Sequence, residues 1–196
     1  MKQDVFETGV VYHIFNRGNN KEDIFREDRN YYYFLSLVKK YLLSISDIYA
    51  YCLLKNHFHI LLRIKDNNEL SEKLQAKPFL AFSNLFNTYT KSINKAYNRT
   101  GSLFQEHLQR NRVKDESYLI KLIAYIHLNP LKHQFTNDFR NYPFSSYKAY
   151  TTNKKTDIKK DFIMEIFGNV ENFEYWHNLK KISYEGIIEE IENMDN

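Results

Sequence analysis

Apolar residues recur along this chain with two different periods, and the alternation of those periods predicts the elements. Val10 to Phe15 (VVYHIF) is a short apolar run that reads as a first strand, closed by the turn-forming Asn16-Arg17-Gly18-Asn19-Asn20. From Asp28 to Ser44 the spacing of Tyr31, Phe34, Leu35, Val38 and Leu42 is helical, and Asp28 is placed to cap that helix. Ile48 to Leu54 (IYAYCLL) and His57 to Ile64 (HFHILLRI) read as two strands, and the short polar link Lys55-Asn56 suits a hairpin between them. A helical stretch from Glu69 to Tyr97, interrupted near Pro78, ends at Asn98-Arg99-Thr100-Gly101. Leu108 to Val113 reads as a fourth strand. Asp115 or Glu116 then opens a helix through Leu128, which Pro130 is expected to stop.

The order strand, helix, strand, strand, helix, strand, helix predicts an α+β chain. Its first six elements match the ferredoxin-like β-α-β-β-α-β arrangement, an antiparallel sheet with helices on one face. A further helix follows, and residues 131–160 read as irregular and basic. Short acidic helices are expected around Phe162 to Phe167 and around Tyr184 to Ile191. The expected division is one domain over residues 1–150 and an acidic C-terminal extension over residues 151–196.

Composition narrows the function classes. With 43% hydrophobic and 27% charged residues among 196, the chain has the balance of a soluble globular protein. No apolar run approaches the roughly 20 residues that span a bilayer, and Met1 to Gly9 has no signal-peptide pattern, so a cytoplasmic protein without a membrane partner is expected. The single cysteine, Cys52, excludes an intramolecular disulfide and a multi-cysteine metal site. Residues 161–196 carry nine acidic residues and two lysines, a net of −7, so the overall +4 leaves +11 on residues 1–160. Such a body suits a polyanion, although charge alone fits a merely solvated basic surface equally well.

Candidate chemistry sits in two places. His57-Phe58-His59 lies in an otherwise apolar strand, where alternation sends both imidazoles to one face and Phe58 to the other. Two neutral imidazoles on one face form half of a divalent-metal site. In Tyr125-Ile126-His127-Leu128-Asn129-Pro130, Tyr125 and Asn129 stand at i and i+4 and share a helical face, while His127 faces elsewhere. Asn129 can offer a carbonyl oxygen as a third ligand. A cation held by two histidines and one asparagine can polarise a phosphate, and a tyrosine hydroxyl can attack phosphorus. From spacing alone Tyr125 reads equally as a packed aromatic, and Tyr118, two turns earlier on the same face, is a rival nucleophile.

At these residues the chain resembles the HUH-type single-strand DNA transposases with one catalytic tyrosine, most of all their REP-associated tyrosine transposase branch. The likeness spans roughly residues 8–150. YHIFNRGNN and IFREDRNYYYFL resemble the family's first strand and helix, and LLKNHFHILLRI carries the histidine–hydrophobic–histidine motif. GSLFQEHLQRNRV precedes the tyrosine helix, YLIKLIAYIHLNPL carries the tyrosine, and YPFSSYKAY follows it. The resemblance implies a ferredoxin-like nuclease domain, Mg²⁺ or Mn²⁺ as cofactor, and cleavage and rejoining of hairpin-bearing single-stranded DNA through a covalent 5′-phosphotyrosine. It places the metal-binding histidines at His57 and His59, the nucleophile at Tyr125 and the polar ligand at Asn129. Two departures stand out: many insertion-sequence relatives have Gln where Asn129 stands, and a basic residue often occupies the place of His107.

Candidate DNA contacts are Arg17 in the turn after the first strand, Lys55 at the hairpin, and Arg110 and Arg112 alternating on the fourth strand. Each reads as well as a solvated surface charge. The acidic extension is expected to pack on the body rather than compete with DNA for the basic cleft. A monomer is favoured over a homodimer. The competing functions are a non-catalytic nucleic-acid-binding module and a hydrolytic nuclease without a covalent intermediate.

Overall fold

The computed structural model describes residues 6–71 and 78–182. Four strands form one antiparallel sheet: β1 (Val11–Arg17), β2 (Ser46–Leu54), β3 (His57–Ile64) and β4 (Gln109–Arg112), in the order β2-β3-β1-β4. This is the ferredoxin-like arrangement expected from the sequence. The register sets Phe15 opposite His59 and Arg17 opposite His57, while β4 sets Gln109 opposite Phe15 and Asn111 opposite His13. Directly paired residues share a sheet face. His13, Phe15, Arg17, His57, His59 and Gln109 therefore lie on one face, and Tyr12, Ile14, Phe58 and Arg110 on the other.

The second face carries the main core. Helices α1 (Asp28–Tyr41) and α2 (Phe79–Ala96) pack on each other there. Phe58 is fully buried, with ring centroids of Phe34, Phe86 and Phe104 at 5.3, 5.7 and 6.0 Å. Tyr89, also fully buried, donates from its hydroxyl to the Ile24 carbonyl at 2.7 Å, so its polar end is satisfied inside the core. Several boundaries differ from expectation by a few residues. Residue Glu27, not Asp28, caps α1, because Asn30 Oδ1 accepts from the Arg26 and Glu27 amides (3.0 and 3.2 Å) and completes a capping box with Glu27. The first strand also runs on to Arg17, and Gly18 makes the turn. A Cβ at Gly18 would meet the Glu22 carbonyl oxygen at 2.0 Å, so no other residue fits this turn as built.

On the first face lies α3 (Glu116–Lys132), packed across β2 and β3. Asp115 caps it by accepting from the Tyr118 amide at 2.8 Å. The expectation that Pro130 stops this helix is corrected. The helix passes through Pro130, buried on its last turn, and closes with His133 N–H donating to the Asn129 carbonyl at 3.0 Å. The proline removes one hydrogen bond, to the Ile126 carbonyl, and the helix continues only to Lys132 beyond it.

The rest of the described chain braces α3 from outside. Residues 144–146 pair with β2, Leu53 N–H donating to the Phe144 carbonyl (2.9 Å) and Ser146 N–H to that of Tyr51 (3.0 Å), which covers a sheet edge. Short α4 (Tyr147–Thr151), α5 (Lys160–Phe167) and α6 (Val170–Ile182) follow. His177 of α6 is fully buried with Nε2 2.9 Å from His127 Nδ1, and His127 Nε2 lies 2.8 Å from Ser146 Oγ. His127 thus faces away from the cleft, as its offset from Tyr125 and Asn129 required. The described part of the acidic segment packs on the body, and none of it lines the cleft beside the histidines. The helix expected around Tyr184 to Ile191 lies outside the described residues.

This polar chain has one self-consistent proton arrangement. His177 Nδ1 donates to the Phe173 carbonyl (2.7 Å), and with both rings neutral its Nε2 accepts from His127 Nδ1–H. Burial lowers the pKa of His177 to about 4 and holds that of His127 well below its ordinary value. In the unfolded chain each protonates near its ordinary 6.5. Between about pH 6.5 and 4 the unfolded state therefore binds more protons, and acid favours it. The urea midpoint of the metal-free protein is expected to be level above about pH 6.5 and to fall steadily below it. A midpoint unchanged down to pH 5 would contradict a neutral His127–His177 pair.

Candidate functional site

A cleft of about 510 Å³ opens on the α3 face of the sheet, lined in part by Arg17, His57, His59, Tyr125, Lys132 and His133. Strand alternation brings His57 and His59 to it, and the helical repeat brings Tyr125, Lys132 and His133. The Tyr125 ring stands edge-on to His59 at 5.5 Å and to His13 at 6.3 Å between centroids. His133 stands edge-on to His57 at 4.6 Å. Lys132 Nζ lies 5.5 Å from the Tyr125 ring centroid. Tyr118, the rival tyrosine, is about as buried as Tyr125 but does not line this cleft.

The two histidines are neutral. Burial, with smaller contributions from His133 and Arg17, lowers the pKa of His57 to about 3, while the adjacent Asn129 amide works the other way. Burial, then neighbouring His13 and His57, holds His59 well below its ordinary value. Asn129 is fully buried. Its Nδ2 donates to the Tyr125 carbonyl at 3.1 Å, and its Oδ1 is buried without a hydrogen-bond partner.

That orphaned oxygen tests whether the residues fit a divalent cation. An unsatisfied buried acceptor costs roughly 1–3 kcal/mol, and a cation beside two neutral imidazoles would satisfy it. Among the described residues no group of three or more His, Cys, Asp or Glu could hold a metal ion. A cation held by His57 and His59 would thus need a donor of another kind, and the Asn129 carbonyl oxygen is one. The donor set of two imidazoles and one amide oxygen could hold a divalent cation.

The candidate DNA contacts separate by face. Arg17 lies on the cleft. Lys55, at the hairpin, pairs with Asp23 at 2.9 Å. Arg110 and Arg112 point to the opposite face, where Arg110 stacks over Phe6 (4.6 Å) and Arg112 pairs with Glu7 (3.2 Å). On β4 it is Gln109 that reaches the cleft. Sequence reasoning missed His13, Lys132 and His133. The two on the helix were lost when it was ended at Pro130, since 125, 129, 132 and 133 form one continuous helical face. His13 was legible as a polar residue inside an apolar strand.

Among the described residues no helix is long and apolar enough to cross a membrane. No family model matches the chain. A Haemophilus influenzae protein named as a REP-associated tyrosine transposase is 24% identical over 122 residues, which cover 61% of this chain and 65% of that protein. The chain thus matches a little under two thirds of that relative's length. A solved structure of a REP-associated tyrosine transposase bound to a REP hairpin superposes with a TM-score of 0.59 at 12% identity, covering 78% of this chain and 86% of that one. In fold the chain is α+β and ferredoxin-like, and in sequence and architecture together it resembles the REP-associated tyrosine transposase branch of the HUH-type single-strand DNA transposases.

Proposed function

We propose that the chain cuts and rejoins hairpin-bearing single-stranded DNA, with Tyr125 as nucleophile and a divalent cation held by His57, His59 and Asn129. The observation that carries this reading is the placement of the Tyr125 ring edge-on to His59 in an open cleft, next to a buried amide oxygen that lacks a partner. The hairpin-bound structural relative supports the choice of substrate.

In the proposed reaction the Tyr125 phenolic oxygen attacks phosphorus as its proton is released. The Tyr–O–P bond forms and the P–O3′ bond breaks, and the departing 3′ oxygen takes up a proton. The product is a 5′-phosphotyrosine, which a 3′-hydroxyl can attack in reverse, so strand joining needs no outside energy source. A bound Mg²⁺ or Mn²⁺ would polarise the phosphate and offset charge on the leaving oxygen. Arg17 and Lys132, on the cleft wall, hold the phosphates of the strand, and the basic body supplies the sequence-independent part of affinity. A monomer holds all of these residues in one chain.

The test is incubation with labelled single-stranded hairpin DNAs and Mn²⁺, followed by denaturing gels. A protein–DNA adduct that requires metal is expected. Salt-sensitive binding without cleavage, across several hairpin sequences, would identify a binding module instead.

A further inference from the structure

We propose that His13 and Asn56 are positioning residues that hold His59 and His57 in the tautomers that leave each Nε2 lone pair free for a metal. The proposal rests on the reading of His57 and His59 as ligands and names the side chains that make them so.

His13 is fully buried on β1 and sits diagonally across the β1–β3 pair from His59, since His13 opposes Leu61 and Phe15 opposes His59. Diagonal neighbours on one face are within reach of ring side chains. Here His13 Nε2 and His59 Nδ1 are 3.0 Å apart, with the two rings nearly parallel at 18°. The His13 ring also stacks on Phe15 at 4.8 Å, which fixes its plane. Two neutral imidazoles facing each other through one nitrogen each share a single hydrogen. If His59 Nδ1 carries it, the Nε2 of His59 is a bare lone pair. If His13 carries it, the Nε2 of His59 bears hydrogen and cannot ligate. The proposal commits to the first arrangement, with His13 as acceptor.

The same logic holds for His57. Its Nδ1 lies 2.7 Å from Asn56 Oδ1, and an amide oxygen only accepts, so His57 donates from Nδ1 and keeps Nε2 bare. Asn56 is itself fixed, because its carbonyl accepts from Gly18 N–H at 2.8 Å in the turn that admits only glycine. Two outer partners, one from β1 and one from the hairpin, therefore orient the two rings. A ligand histidine usually gives its second nitrogen to a carboxylate, a carbonyl or water. A second imidazole is an unusual choice. It suits this site because a neutral acceptor leaves the basic cleft uncompensated and open to phosphate.

The test begins with the metal-free full-length wild type, ¹⁵N-labelled at histidine, using long-range NMR to read which ring nitrogen carries hydrogen. Both His57 and His59 are expected in the Nδ1–H form. An Nε2–H form of His59 would overturn the assignment to His13 without any variant having to fold. Mn²⁺ affinity, read from the electron-spin resonance of free Mn²⁺, is then compared across variants. His13→Phe and Asn56→Ala are each expected to weaken Mn²⁺ binding about 10–100-fold. His13→Gln, whose amide oxygen can accept from His59, should recover most of the affinity. Wild-type affinity in His13→Phe, in a protein that melts normally, would overturn the proposal. The ligand reading has its own control in His59→Ala. If that variant binds Mn²⁺ as the wild type does, the metal site is elsewhere, while the tautomer of His59 still decides what His13 does.

Discussion

Tyr125→Phe is expected to abolish the covalent protein–DNA adduct and to lower strand cleavage by roughly 10³-fold or more, because a nucleophile is removed while the rest of the site is kept. The substitution deletes one oxygen. The ring remains against His59 and His13, so the edge-on contacts at 5.5 and 6.3 Å persist and the helix has no reason to move. Mn²⁺ affinity and hairpin binding should stay near those of the wild type, which separates loss of chemistry from loss of fold. Tyr118→Phe is the matched control. Tyr118 lies on the same helix but off the cleft, so its variant should cleave normally. An adduct that survives in Tyr125→Phe and vanishes in Tyr118→Phe would reassign the nucleophile. Cleavage that survives without an adduct would replace the tyrosine mechanism by attack of water.

Phe58→Ala is expected to destabilise the protein by about 3–5 kcal/mol, a large share of the 5–15 kcal/mol that holds a typical domain together. Phe58 sits between the two candidate ligands in sequence but on the opposite sheet face. It is fully buried among rings from both α1 and α2 and from the segment before β4. Truncation would leave a cavity that three separate elements would have to collapse together to fill. Thermal melting should fall by roughly 6–20 °C for a chain of this size. Where the variant is still folded at low temperature, its metal affinity should be close to normal, because alternation keeps Phe58 out of the cleft. A loss of metal binding larger than the loss of folded protein would mean that the two faces are coupled more tightly than this packing implies.

Much of the site could be read from the chain because it depends on local periods. A strand sends residues 57 and 59 to one face whatever surrounds it, and a helix sets 125 beside 129. The β3 bounds and the β-α-β-β-α-β order followed from the same periods, with strong runs and clear turn residues between them. What failed was at element ends. Pro130 reads in the sequence as a helix stop, but it removes only one hydrogen bond, to the Ile126 carbonyl, and the last turn forms around it; with that error Lys132 and His133 were lost from the cleft. The alternation of Arg110 and Arg112 was read correctly as one face. Which face it was could not be read, because that depends on the register of β4 against β1.

By itself, then, the sequence determined what repeats locally: which residues form strands and helices, which side chains share a face, and that paired imidazoles, an amide and a tyrosine recur at intervals that can meet. Only the tertiary structure decided which faces meet. The β1–β3 register brought His13 within 3.0 Å of His59 across 46 residues of chain. The packing of α3 on the sheet chose Tyr125 over Tyr118 for the cleft, and the docking of α6 buried His127 against His177. Such pairings are set by the filling of one shared core and by the satisfaction of buried polar groups, which no single stretch of sequence contains.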